Sequence, residues 1–273
     1  MNKRIYIVIV LFLVAIIGFS AYQIISGLNV YRGIDDYYDT VDEQYMVAVE
    51  PMPEVPVEAE PSIPEEVQAS EPVVEASVET EVVEVAPIQI DFEMLLADAP
   101  DTVGWLYTMD GEINLPVVQG DDNEYYLRRL PNGDYSFGGS LFLDYLATSD
   151  FSDTISFVYG HNMRNGSMLQ PITAYGKQSY YDAYPVMYLL TPEQNYKLEV
   201  FSGYVTDVES EAYTFNFASD EEKEGYIQML QNMSDFTSFV EVTAQDRILC
   251  LSTCTYEYED ARYVVFSKLT PIG

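Results

Sequence analysis

Cys250-Leu-Ser-Thr-Cys254-Thr-Tyr-Glu-Tyr-Glu-Asp-Ala-Arg262-Tyr-Val-Val-Phe-Ser-Lys-Leu269 reads as two strands joined by a loop. Ile248 to Cys254 is apolar and β-prone, as is Tyr263 to Leu269, and Thr255 to Ala261 between them is polar and acidic. Antiparallel pairing would set Cys254 against Arg262 across the loop mouth, with directly paired Cβ atoms roughly 4.5–5.5 Å apart. A thiol beside a fixed cation is a candidate nucleophile with its charge stabiliser. The same stretch also suits an inert core, because strand cysteines are commonly buried. The stretch alone leaves both readings open.

The chain has 273 residues, 2 Cys, 1 His, 24 Tyr and a formal net charge of −33. Residues 29–90 carry 16 acids and a single base, Arg32; residues 91–273 carry 29 acids and 9 bases. Phosphate contacts need clustered Lys and Arg, so no nucleic-acid partner is expected.

Asn2-Lys3-Arg4 precedes an apolar run from Ile5 to Leu28, interrupted only by the uncharged polar residues Tyr6, Ser20, Tyr22, Gln23 and Ser26. As a helix this run spans roughly 36 Å, enough for a hydrocarbon core of ~30 Å. The expectation is a transmembrane anchor over 5–28, with a cytoplasmic tail over 1–4 and the bulk of the chain outside the cell. The run is longer than the usual signal-peptide core and shows no convincing small-x-small cleavage site, which favours an uncleaved anchor over a cleaved signal peptide. Asp35-Asp36-Tyr-Tyr-Asp39 reads as the exit into water. Residues 29–90 read as an acidic extracellular linker, since Val49 to Ile90 repeats Glu, Pro and Val, and Pro denies it both helix and ladder bonds.

Residues 91–273 read as one folded domain. Asp91 caps a short helix over 92–97, and Ser219-Asp-Glu-Glu222 has the capping-box form that opens a helix to about Met233. Val103-Gly-Trp105-Leu-Tyr107 holds the only Trp, and strands are expected near 113–118, 140–144, 154–159, 186–190, 196–201, 203–207, 248–254 and 263–269, with Pro116 favouring an edge. Many short strands between turns point to a β-barrel with helical additions.

The two cysteines are four residues apart, about 13 Å in an extended segment, too far for a disulfide. Two unpaired thiols on an exported chain hint at chemistry. Cys250 lies inside the apolar run and reads as core; Cys254 lies at its end and is the better nucleophile. A lone His is more often structural than functional. Yet His161 also ends a strand, after Phe157-Val-Tyr-Gly160, and a cysteine enzyme needs a group that titrates near neutrality. One His and two Cys at this spacing cannot make a zinc set, and no metal or other cofactor is expected.

Leu251-Ser-Thr-Cys254 with Arg262, Tyr159-Gly-His161-Asn-Met163, and Asp121-Asp-Asn-Glu-Tyr-Tyr-Leu127 before Gly139-Ser-Leu-Phe-Leu-Asp144 closely resemble class B sortases. These are membrane-anchored cysteine transpeptidases of Gram-positive bacteria. The resemblance covers about residues 91–269. It implies an eight-stranded sortase barrel, mainly β, with N-terminal helices and an added helix before the Cys strand. It implies Cys254 as nucleophile, His161 as general acid/base and Arg262 as oxyanion stabiliser. By the same similarity Asn123, Leu127, Ser252 and Thr255 line the substrate groove. The implied partners are secreted proteins bearing a C-terminal sorting signal, a peptidoglycan precursor amine, and the bilayer through the N-terminal helix. Where the family has Thr-Leu-x-Thr-Cys, this chain has Cys250 in the first position. An exported cysteine protease and a non-catalytic, membrane-tethered binding module are the competing readings.

Overall fold

A computed structural model describes residues 3–47, 84–255, 257–258 and 260–273, with side chains from residue 11 onward. Helix α1 (Lys3–Tyr45) is followed by a two-residue strand, β1 (Met46–Val47), which pairs antiparallel with β2 (Gln89–Ile90). Helix α2 (Phe92–Asp98) begins where the Asp91 carboxylate accepts the Met94 amide at 2.9 Å. The barrel strands are β3 (Thr102–Thr108), β4 (Asn114–Val118), β5 (Leu141–Leu143), β6 (Ile155–Tyr159), β7 (Val186–Leu190), β8 (Asn195–Asp207), β9 (Arg247–Cys254) and β10 (Ala261–Ile272). They close in the order β10-β8-β7-β3-β4-β5-β6-β9. Helix α3 (Gln178–Ala183) precedes β7, and α4 (Asp220–Met233) lies in the β8–β9 connection.

Strand alternation divides the packing in two. Leu249 and Leu251 of β9 join Val158, Leu143, Val117, Leu106 and Leu198 in the central cluster. Ile248 and Cys250, from the opposite face of β9, join Phe157, Phe201 and Phe266 in a second cluster, closed by Tyr226, Ile227 and Leu230 of α4. The added helix therefore covers the outer wall of β6, β9, β10 and β8. Its first turn is capped by Ser219, which accepts the Glu222 amide at 3.2 Å, while the Glu222 carboxylate accepts the amide of Ala218.

Three expectations are corrected. Residues 29–47 are not linker: α1 continues to Tyr45, and Ile34, Tyr38, Val41 and Tyr45 lie on one helical stripe and are buried against the domain. Tyr38 also donates to the Gly139 carbonyl at 2.8 Å. Residues 84–90 likewise belong to the domain, through β2 and the Glu84–Lys197 ion pair at 3.0 Å. The expected spacer over 48–83 and residues 1–2 lie outside the described residues. Second, the strands expected at 196–201 and 203–207 are one strand, β8, with a bulge opposite Phe266 and Ser267. Gly203 permits close approach, since a Cβ there would meet the Phe236 ring at 3.1 Å and the Val264 carbonyl at 3.3 Å. Third, Pro116 is not on an open edge. It pairs with Trp105 of β3, and the ladder from β4 to β5 starts only at Val117.

Candidate active site

Two strand registers bring the three singled-out residues together. On one side of β9, antiparallel β10 sets Arg262 directly opposite Cys254. On the other side β6 runs parallel, with Phe157 paired to Cys250 and Tyr159 to Ser252. Continuing that register by two residues carries His161 level with Cys254. Neighbouring strands lie ~4.8 Å apart, so His161, Cys254 and Arg262 form a row across three adjacent strands.

The corner after β6 is held by four hydrogen bonds, three of them to the end of β9. The Gly160 amide donates to the Ser252 carbonyl at 3.3 Å, and Thr253 Oγ1 donates to the Gly160 carbonyl at 2.8 Å. Asn162 Nδ2 donates to the Cys254 carbonyl at 2.6 Å. The fourth, from the Leu169 amide to the His161 carbonyl at 3.0 Å, holds the returning chain. Gly160 is required, because a Cβ there would lie 2.5 Å from Leu141 Cδ2 and 2.8 Å from Leu169 Cγ. Met163 is buried in the central core.

His161 Nε2 sits 2.8 Å from the Leu127 carbonyl oxygen. A carbonyl only accepts, so Nε2 carries the proton and the neutral ring keeps its lone pair on Nδ1. Burial pushes the His161 pKa below its ordinary value; the Leu127 hydrogen bond opposes that shift and the nearby Arg128 guanidinium adds to it. Arg262 Nη1 donates to the Ala261 carbonyl at 3.1 Å. Cys250 and Cys254 are both free thiols. Cys250 is fully buried, which pushes its pKa well above the ordinary thiol range, whereas Cys254 is partly exposed.

Cys254, His161 and Arg262 line one cavity of about 500 Å³. Asn123, Leu127 and Ser252 also line it; Thr255 does not, and its amide instead closes the loop to the Ala261 carbonyl at 3.0 Å. Ser252 is buried and its hydroxyl is 2.8 Å from that of Tyr213. Asn123 donates from Nδ2 to Asp144 at 2.9 Å and accepts the Tyr145 amide at 3.0 Å. Asp144 also accepts the Tyr159 hydroxyl at 3.0 Å and the Leu146 amide at 2.9 Å.

Sequence reasoning missed Asp144, Tyr159 and Tyr213 as lining residues. One acid among 45 and two tyrosines among 24 carry no local signal. Only the β5–β6 pairing and the segment before α4 bring them to the cavity. Leu146, Val208 and Phe215 add apolar wall. An open trough lined by a partly exposed thiol, a cation and an imidazole can bind an extended peptide and attack a carbonyl within it.

Sortase B of Listeria monocytogenes is 37% identical over 171 residues, which are 62% of this chain and 70% of that protein. The chain belongs to the class B sortase family. A Staphylococcus aureus sortase B–substrate complex superposes with a TM-score of 0.63 at 29% identity, covering 67% of this chain and 85% of that one. A sortase B complexed with triglycine gives the same TM-score and identity, covering 67% and 86%. No family model matches the chain. The closed eight-stranded barrel is thus the sortase barrel, and the protein is a cysteine transpeptidase of cell-wall sorting.

Proposed function

We propose that Cys254 is the nucleophile of this class B sortase, with His161 as general acid/base and Arg262 as oxyanion stabiliser. The observation that carries this assignment is the double register of β9, parallel to β6 and antiparallel to β10, which aligns the three residues on one cavity. As its proton passes to His161, the Cys254 thiol attacks, through sulfur, the Thr carbonyl of a C-terminal sorting signal on a secreted protein. The oxyanion forms beside the Arg262 guanidinium. As the tetrahedral adduct collapses, the C–N bond breaks, His161 gives a proton to the leaving amine, and a thioester remains on Cys254. A peptidoglycan precursor amine then attacks the thioester, His161 takes up the proton lost by that amine, and as the C–S bond breaks that proton passes to the Cys254 sulfur and restores the thiol. The substrate-bound and triglycine-bound sortase B structures support a peptide and an amine as the two partners here. Asn123, Leu127 and Ser252 are assigned to the signal-binding groove; Thr255 acts there only through the backbone of its loop.

The proposed arrangement in the cell is a cytoplasmic tail (1–4), a single span (5–28), and an extracellular catalytic domain (91–273). Residues 29–47 and 84–90 are docked on that domain, and the Pro/Glu-rich tract joins the two docked segments. Helix α1 is the one described helix long and apolar enough to cross a membrane, and Lys3-Arg4 before the run sets the orientation.

The test uses the full chain with a library of sorting-signal peptides, with and without triglycine. Amide products that appear with the amine and vanish in Cys254→Ala are expected. Acid products that ignore the amine would make it a cysteine protease. No Cys254-dependent product would leave only a binding module.

A further inference from the structure

His161 has two faces. One lines the thiol cavity; the other lines a second cavity of about 330 Å³, with Tyr31, Arg128, Phe137, Asn162, Met163 and Arg164. In a chain of net charge −33 this cavity gathers two of only 12 basic residues. Neither is spent on an acid: among the described residues the ion pairs are Lys197–Glu84 and Lys268–Asp246. The Arg128 guanidinium is already oriented, 4.8 Å over the Phe137 ring, with Nη1 donating to the Phe137 carbonyl at 3.1 Å. Asp35 of α1 does not line this cavity and accepts Asn165 Nδ2 at 3.1 Å. Two arginines facing one polar hollow are suited to a phosphate, which each guanidinium can grip through paired N–H groups.

The height of the cavity says where that phosphate comes from. Tyr31 lies three residues past Leu28, the end of the apolar run, or about 4.5 Å along the helix axis. The headgroup layer of a bilayer leaflet is roughly 5–8 Å deep. Helix α1 is unbroken from Lys3 to Tyr45, and the next turns are fixed to the domain through Ile34 and Tyr38. The cavity is therefore held at the level of lipid phosphates. The acidic surface elsewhere does not prevent this, because fields from exposed charges fade over ~8 Å at physiological salt.

We propose that the Arg128–Arg164 cavity binds the phosphate of a membrane lipid beside the catalytic histidine. The inference rests on the reading of residues 5–28 as a span and of His161 as the acid/base. The phosphate has two possible sources: the diphosphate of a lipid-linked amine substrate, which would enter the thioester from the His161 side, or a phospholipid headgroup, which would hold the domain against the bilayer.

The test uses the full chain in phosphatidylcholine nanodiscs. Inorganic pyrophosphate, followed by ³¹P NMR on the Cys254→Ala protein, is expected to bind saturably. Arg128→Gln with Arg164→Gln should weaken binding at least about ten-fold, and Arg164→Lys should retain only part of it, because an ammonium keeps the charge and lacks the paired N–H groups. Transfer is then measured on otherwise wild-type protein with one peptide amine in two forms, linked to polyprenyl diphosphate or free of phosphate. If Arg164→Gln raises KM about ten-fold for the lipid-linked form alone, the carrier diphosphate is the ligand. If phosphatidylglycerol in the nanodisc displaces pyrophosphate and KM is unchanged, the headgroup is the ligand. Absence of pyrophosphate binding to the parent protein, or equal binding by the double variant, overturns the proposal. Failure of the proposed catalytic roles would show separately, as absence of an acyl adduct on Cys254 while pyrophosphate still binds.

Discussion

Cys250 and Cys254 stand on the same strand, on the same face, four residues apart, and have opposite surroundings. Cys250 is sealed between the barrel wall and the cluster beneath α4, and its Sγ has only the Leu251 carbonyl at 3.7 Å. Cys254 lies where that cover ends, between Arg262 and the His161 corner, and opens to the groove. Residue type is identical at the two ends; burial and neighbours separate structural sulfur from chemical sulfur. Helix α4 thus has two roles, sealing one thiol and, through the segment leading into it, walling the groove that serves the other.

The sharpest break in this comparison is Cys254→Ala. Transfer should fall by more than about 10⁴-fold while the melting curve is unchanged, read by product formation and circular dichroism. Arg262→Ala comes next: losing one oxyanion donor should cost about 10²–10³-fold in kcat. Arg262→Lys should recover only part of this, because an ammonium lacks the planar fork. At the sealed end the effect moves from rate to stability. Cys250→Ser places a hydroxyl in a closed apolar pocket and should lower unfolding stability by about 1–3 kcal/mol in urea titration, with kcat preserved. The smallest effect is electrostatic and falls on the histidine. As the only His in the chain, His161 can be followed by NMR, and its midpoint should lie below the ordinary ~6.5. Arg128→Gln should raise it. Because protonation is disfavoured in the folded state, the stability that His161 contributes is complete above ~6.5 and declines as pH falls towards the native midpoint.

The row of Cys254, His161 and Arg262 proposed as catalytic is legible in the sequence because its position depends on local rules. Apolar runs ending at Cys254 and at Gly160, and a polar loop ending at Arg262, mark strand termini, and strand termini are where side chains reach solvent. What escapes sequence reading depends on contacts distant along the chain. Asp35, Asp36 and Asp39 look like an exit into water, and these acids do face it. The opposite stripe of Ile34, Tyr38, Val41 and Tyr45 carries α1 onto the barrel, and only the barrel supplies its partner. The strands read over 196–201 and 203–207 are one strand, in which Gly203 admits the Phe236 ring. Asp144 looks like an ordinary strand-end acid until pairing of β5 with β6 brings it to Asn123 and Tyr159.

The most direct measurement is peptide mapping by mass spectrometry of the full chain after incubation with a sorting-signal peptide and no amine. The account predicts an acyl adduct on Cys254 alone, with Cys250 unmodified, that converts to an amide when triglycine is added. An adduct on Cys250, or a Cys254 adduct that only water can discharge, would contradict it.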